Sequence, residues 1–190
     1  ISYRGPSNHG FLKTVEIDNI GLITDAIIDS LEFETSYCFE PDIIHKSGDL
    51  YVISYRGPGD DGFVKTVRIT SNGDINDTPI DYYEYDTAYG HESDIINISN
   101  NVYAIVNSHQ YLGGYLTTIE IDDTGIITKS VLDSTRWDYR QPSGDDDCYD
   151  PQIIHIGNWV YAIVYRGEYN SYIKTLRIGS LGDISDVNDD

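Results

Sequence analysis

The sequence predicts an all-β fold of the β-propeller class, and three observations carry that expectation. A segment of about 52 residues recurs along the chain, each copy divides into four short β-patterned runs, and the breaks between runs carry glycine. No segment shows the 3.6-residue period of an amphipathic helix.

The recurrence appears when the chain is laid on itself. Ile1-Ser2-Tyr3-Arg4-Gly5-Pro6 returns as Ile53-Ser54-Tyr55-Arg56-Gly57-Pro58, and in weaker form as Ile163-Val164-Tyr165-Arg166-Gly167. Asp42-Ile43-Ile44-His45 returns as Asp94-Ile95-Ile96-Asn97 and Gln152-Ile153-Ile154-His155. Gly21, Gly73, Gly125 and Gly182 mark one turn per copy, and Phe33, Tyr85 and Trp137 mark one aromatic position. The glycines fall 52, 52 and 57 residues apart, so the last interval holds an insertion, placed between Trp137 and Cys148.

Within the copy from Asp42 to Glu92, Ile43 and Ile44 head a first strand, Leu50 to Arg56 form a second, Phe63 to Thr70 a third and Ile75 to Tyr85 a fourth. Apolar residues occupy both faces of the first three, as strands sandwiched between neighbouring sheets require. The fourth is rich in Asp, Glu and Tyr and suits the water-facing edge of a blade. Ser47-Gly48-Asp49 and Ser71-Asn72-Gly73 supply the positive-φ positions of tight hairpins. The chain is expected to hold about 3.6 repeats: a partial blade at 1–40, a blade at 41–92, a blade with the loop insertion at 93–150 and a partial blade at 151–190. A β-sandwich is the alternative, and four glycine turns in step weigh against it.

Pro41-Asp42-Ile43-Ile44-His45, Val52-Ile53-Ser54-Tyr55-Arg56-Gly57-Pro58 and Gly62-Phe63-Val64-Lys65-Thr66-Val67 resemble propeller-type repeats of secreted, multidomain surface proteins of archaea and bacteria. The resemblance spans the chain and implies an extracellular or cell-surface location. The Gly-His and Trp-Asp signature of WD40 blades and the double glycine of kelch blades are missing, and the resemblance supplies no catalytic residues.

The formal net charge of −20 repels phosphate backbones and anionic lipid, so nucleic acid is not an expected partner. No apolar run is long enough for a membrane-inserted helix. The loops joining second to third strands, and fourth strands to the next blade, emerge on one face and carry the acidic and aromatic residues. That face is expected to bind, with Asp60, Asp61, Tyr89, His91, Asn107, His109, Tyr111, Asp145, Asp146, Asp147 and Tyr149 as candidates for a glycan or protein ligand. Asn107-Ser108-His109 stands out, because it replaces the recurring Tyr-Arg-Gly.

Asp145, Asp146 and Asp147 invite a calcium reading, but calcium loops alternate their carboxylates with spacers, and no other cofactor is expected. Recurring His45 and His155 are read as hydrogen-bonded core residues rather than metal ligands, and recurring Arg4, Arg56 and Arg166 as braces for loop carboxylates. Cys38 and Cys148 sit at equivalent positions two blades apart, beyond disulfide reach. Asn76-Asp77-Thr78 and Asn97-Ile98-Ser99 are glycosylation sequons if the chain is exported. The leading expectation is a non-catalytic binding or scaffold propeller; the alternative is a propeller glycoside hydrolase or lyase using loop-face carboxylates. The terminal blades are expected to be completed by further blades or by a second copy, and to be unstable without them.

Overall fold

The repeat folds as a series of antiparallel sheets, one after another along the chain, in an all-β, propeller-like arrangement. The computed structural model describes residues 1–109, 113–138 and 148–187. The first sheet has three strands in the order β1 (Ser2–Arg4), β2 (Gly10–Ile17) and β3 (Ile23–Glu34). The second runs β4 (Phe39–Ser47), β5 (Leu50–Arg56), β6 (Gly62–Arg68) and β7 (Asp81–Asp86). The third runs β8 (His91–Asn97), β9 (Val102–His109), β10 (Gly113–Glu120) and β11 (Asp133–Arg136). The fourth runs β12 (Tyr149–Gly157), β13 (Val160–Arg166), β14 (Ser171–Ile178) and β15 (Ile184–Asp186). In each sheet the strands pair in sequence order, as short hairpin links dictate.

The glycine positions behave alike. Gly21, Gly73, Gly125 and Gly182 have φ of 86°, 90°, 93° and 93°, a region that favours glycine. Each donates its amide three residues back, to Asp18, Thr70, Asp122 and Gly179. One turn is therefore repeated four times.

The fourth strand of the second sheet departs from expectation. Ile75 makes only an isolated bridge to Ile69, and regular pairing resumes at Asp81. Pro79 lies in the intervening stretch and has no N–H for a ladder. The link between third and fourth strands is thus a glycine turn followed by a stretch outside the ladder, 76–80, rather than a tight hairpin.

Three apolar layers join the sheets. Leu12 and Phe33 pack on Ile53, Tyr55, Val67 and Ile69 between the first and second sheets. Val52, Val64 and Tyr85 meet Tyr103, Ile105, Ile119 and Ile121 between the second and third. Ala104, Val106, Leu116 and Trp137 meet Tyr161, Ile163, Leu176 and Ile178 between the third and fourth. Strand positions of even and odd parity thus serve opposite neighbours, which explains the weak alternation in the sequence.

His45 and His155 are not core residues. Both are exposed, lying 4.9 Å from the rings of Tyr51 and Tyr161, with His45 Nε2 3.0 Å from the Gly48 carbonyl. They fall where β4 and β12 shift register beside their hairpins, so a repeated polar position marked a sheet end rather than a buried network. Cys38 and Cys148 are both buried, and they are not bonded to each other, as their repeat spacing predicts.

Candidate binding face

Where β4, β8 and β12 begin, each carries a bulge whose acidic residue adopts a left-handed backbone: Glu40 at φ 50°, Glu92 at 52° and Asp150 at 49°. Non-glycine residues rarely adopt this conformation, so three in register mark a device of the repeat. Glu40 Oε2 accepts the Glu92 amide at 2.9 Å, and Glu92 Oε2 accepts the Asp150 amide at 2.8 Å. A line of carboxylates thereby runs from sheet to sheet along the first strands, which pack side by side.

Sixteen residues after each acid, at or next to the end of the second strand, stands Arg56, Ser108 or Arg166. The Arg56 guanidinium lies 3.5 Å from both Glu40 and Asp60, and Arg166 lies 3.5 Å from Asp150. Arg56 also sits 4.5 Å from the centre of the Phe39 ring, with Arg4 4.4 Å from the same ring, and Arg166 is 4.4 Å from Tyr149. Arg56 and Arg166 brace carboxylates as expected, and each also stacks on the ring that opens the first strand, whereas Arg4 is placed over the Phe39 ring.

The third copy breaks the pattern. Ser108 replaces the arginine and donates to Glu92 Oε2 at 3.1 Å. Glu92 has no cationic partner among the described residues, and burial, with the charges of Asp150 and Glu40, raises its carboxyl above the usual range. His91 takes the ring position and accepts from Arg56 Nη1 at Nδ1, 3.1 Å away. Burial and the Arg56 charge lower its pKa, so the ring stays neutral and able to accept. Tyr89 stands beside it, its ring centre 5.9 Å from His91 and 4.6 Å from His109. The buried Asn107 amide is used internally, donating to Asp86 Oδ2 at 3.1 Å and to the Tyr89 carbonyl at 2.8 Å.

The structure therefore gathers Asp60, Tyr89 and His109 about His91, the residue before Glu92, with Asn107 holding the Tyr89 carbonyl. It separates Asp61, whose carboxyl hydrogen-bonds Glu84 on the outer strand β7, and places Tyr149 against Arg166 one sheet further on. Tyr111, Asp145, Asp146 and Asp147 lie outside the described residues. Among the described residues no group of three or more His, Cys, Asp or Glu side chains is placed to hold a metal ion.

Expectation from sequence passed over Glu40, Glu92 and Asp150 as a set, although the acid-to-arginine spacing of 16 residues was there to be read. It also passed over Asp42 and Asp94, whose carboxyls share a hydrogen bond between β4 and β8. Burial and the Asp42 carboxyl push Asp94 up to about 6, against the Ile153 amide that it accepts at 2.7 Å.

No protein-family model matches the chain, and no curated protein matches it. Among solved structures, the NanB sialidase of Streptococcus pneumoniae, in complex with 2-[(3-chlorobenzyl)ammonio]ethanesulfonate, is similar in fold, with a TM-score of 0.54 at 13% identity. The match covers 96% of this chain and 28% of that one. This likeness supports the propeller-like, all-β fold.

Proposed function

We propose that the chain is a glycan-binding propeller of an exported or cell-surface protein, and that it binds through the face around Glu92 without catalysis. One observation carries the reading: the third sheet interrupts the arginine-neutralised series, leaving Glu92, next in the chain to the His91 that Tyr89 flanks, with no cationic partner among the described residues. A carboxylate accepts hydrogen bonds from sugar hydroxyls, and a tyrosine ring gives them a flat apolar wall. The likeness to a sialidase supports a sugar over a protein ligand. The test is binding of the purified chain to an immobilised glycan panel, followed by titration with any hit. Glu92→Ala and Tyr89→Ala are each expected to weaken binding by about tenfold, the loss of one well-placed contact. Wild-type binding in both variants, or no bound glycan, overturns the reading.

A second reading is glycoside hydrolysis. The Asp42 and Asp94 pair favours it, since a carboxyl held protonated to about 6 is suited to general acid work. Turnover of a chromogenic glycoside that is lost in Asp94→Asn would replace binding with catalysis.

A further inference from the structure

The chain carries two Asn-x-Ser/Thr sequences, and the fold treats them in opposite ways. Asn97 closes β8, and both groups that a transferase must hold there are already in use. Its Nδ2 donates to the Ser99 carbonyl at 2.8 Å and to the Val102 carbonyl at 3.3 Å, while Ser99 Oγ donates to the Ser180 carbonyl of the fourth sheet at 2.8 Å. Ile98 between them is buried in the layer that joins the third and fourth sheets. Reaching Asn97 would mean opening that junction.

Asn76-Asp77-Thr78 lies in the stretch between the glycine turn and β7. The Asn76 amide donates to the Arg68 carbonyl at 3.1 Å and the Ile80 amide to the Thr66 carbonyl at 2.8 Å, so residues 77–79 span the gap between two anchors. Asn76, Asp77 and Thr78 are all exposed, and among the described residues neither the Asn76 carboxamide nor the Thr78 hydroxyl has a hydrogen-bond partner. The same excursion recurs in the third sheet, anchored by the Thr128 amide on Glu120 and the Leu132 amide on Thr118. Thr24, Thr128 and Ser185 hold the position of Asn76 in the other copies, so the repeat itself does not require asparagine. Asp74, also exposed, stands two residues before Asn76 and completes the longer acidic acceptor sequence that bacterial oligosaccharyltransferases read on exported, folded proteins. Asn97 has Ile95 at that place.

We infer that Asn76 is an N-glycan attachment site and that Asn97 is silent. Asn76 Nδ2 attacks C1 of the first sugar of a polyprenyl-diphosphate-linked glycan. The N–C1 bond forms as the C1–O bond breaks, the polyprenyl diphosphate leaves with the electron pair, and one amide proton passes to a base of the transferase. Nothing is oxidised or reduced. Asn76 sits at the Arg68 end of β6, whereas Arg56 pairs with Gly62 at the other end. A glycan on Asn76 therefore stands at the opposite end of the second sheet from the candidate binding face and leaves that face clear. The inference rests on the exported location proposed above.

The folded 190-residue chain, incubated with a purified bacterial oligosaccharyltransferase and a polyprenyl-diphosphate oligosaccharide, tests it, with a reference acceptor peptide reporting that the enzyme turns over. Mass spectrometry of the peptides is expected to find one glycan, on Asn76, and none on Asn97. Asn76→Gln and Thr78→Val are each expected to abolish it; both sites are exposed, so the variants fold, which circular dichroism checks. A folded chain left unmodified at Asn76 overturns the inference. Acceptance by the free 72–80 peptide would then show that the fold hides the site, and refusal that the sequence is no acceptor. Equal modification of Asn97 overturns the contrast between the two sites. Because every component is purified, a failure here strikes the acceptor site and leaves the proposed location standing.

Discussion

Thr66 in the second sheet donates through Oγ1 to the carbonyl of Gly125 in the third, at 2.6 Å, with Thr66 almost wholly buried. The bond clamps a strand of one sheet to the hairpin of the next, and Asp81 adds a second clamp by accepting the Ile127 amide at 2.9 Å. Asp29 holds Ile75 and Asp133 holds Ile184 in the same way, at 2.7 and 2.8 Å. Thr66→Val keeps the shape and removes the donor, leaving a buried carbonyl without its partner. Urea unfolding is expected to show a loss of about 1–3 kcal/mol, the cost of an unsatisfied buried group. Thr175→Val, at the equivalent but exposed position of the fourth sheet, should leave unfolding unchanged. Equal losses at the two sites would mean that the hydroxyl matters within its own strand rather than between sheets.

The aromatic position that recurs as Phe33, Tyr85 and Trp137 is fixed by glycines at the start of the neighbouring strand. A Cβ built on Gly62 falls 2.6 Å from Tyr85 Cζ, one on Gly10 falls 2.6 Å from Phe33 Cζ, and one on Gly114 meets the Trp137 ring. These glycines are required by close approach, not by an unusual φ. Gly62→Ala is expected to cost about 1–3 kcal/mol through overpacking. Adding Tyr85→Leu should recover part of that loss, a coupling that a double-mutant cycle measures. Strictly additive losses would exclude the contact as the cause.

The repeat, the glycine turns and the aromatic position were legible because each is a local pattern repeated at fixed spacing. Leu50 to Arg56 forms a strand as expected, since continuous apolar residues between a turn and an Arg-Gly-Pro stop leave little alternative. The line of Glu40, Glu92 and Asp150 was not legible in the same way. Glu40 and Glu92 each act on an amide of the next sheet, 52 and 58 residues away, and the insertion disguises Asp150 as an out-of-register acid. Ser108 was marked as an irregularity, but its meaning depends on the arginine it replaces and on the acid across the strand, which only the fold brings together. His45 misled because recurrence signals a constrained position without saying whether packing or a strand end constrains it.

Cys38 lies buried behind Gly10 and Phe33, and burial, helped by the nearby Glu34 charge, pushes its thiol up to about 12. A thiol at that value holds almost no thiolate near neutral pH and reacts only when exposed. Iodoacetamide is expected to leave Cys38 unmodified in the folded chain and to label it fully in denaturant, as mass spectrometry of the peptides would show. Rapid labelling under native conditions would mean that the first junction opens readily.

The Asp42 and Asp94 pair predicts an unusual pH dependence. Burial, the Asp42 charge and the shared hydrogen bond raise Asp94 from 3.8 to about 6, so between those values the folded chain binds more protons than the unfolded one. Stability contributed by this group is therefore greatest at low pH and falls as pH rises through about 4 to 6, the opposite of an ion-paired carboxylate. Glu34 is the ion-paired contrast: burial raises its carboxyl, but hydrogen bonds from Ser36, Lys65 and Tyr55, with the Lys65 charge, bring it to about 2. Its contribution is present above the ordinary value of 4.5 and is lost as pH falls toward 2. Asp94→Asn removes the buried charge, keeps an oxygen for the Ile153 amide and offers Asp42 a permanent donor. The variant should match the wild type near pH 4 and exceed it by on the order of 1–2 kcal/mol near pH 8. Urea unfolding at the two pH values measures the difference. A variant equally weakened at both would show that Asp94 serves the fold as a charged acceptor, and that the proton it shares with Asp42 carries no linkage.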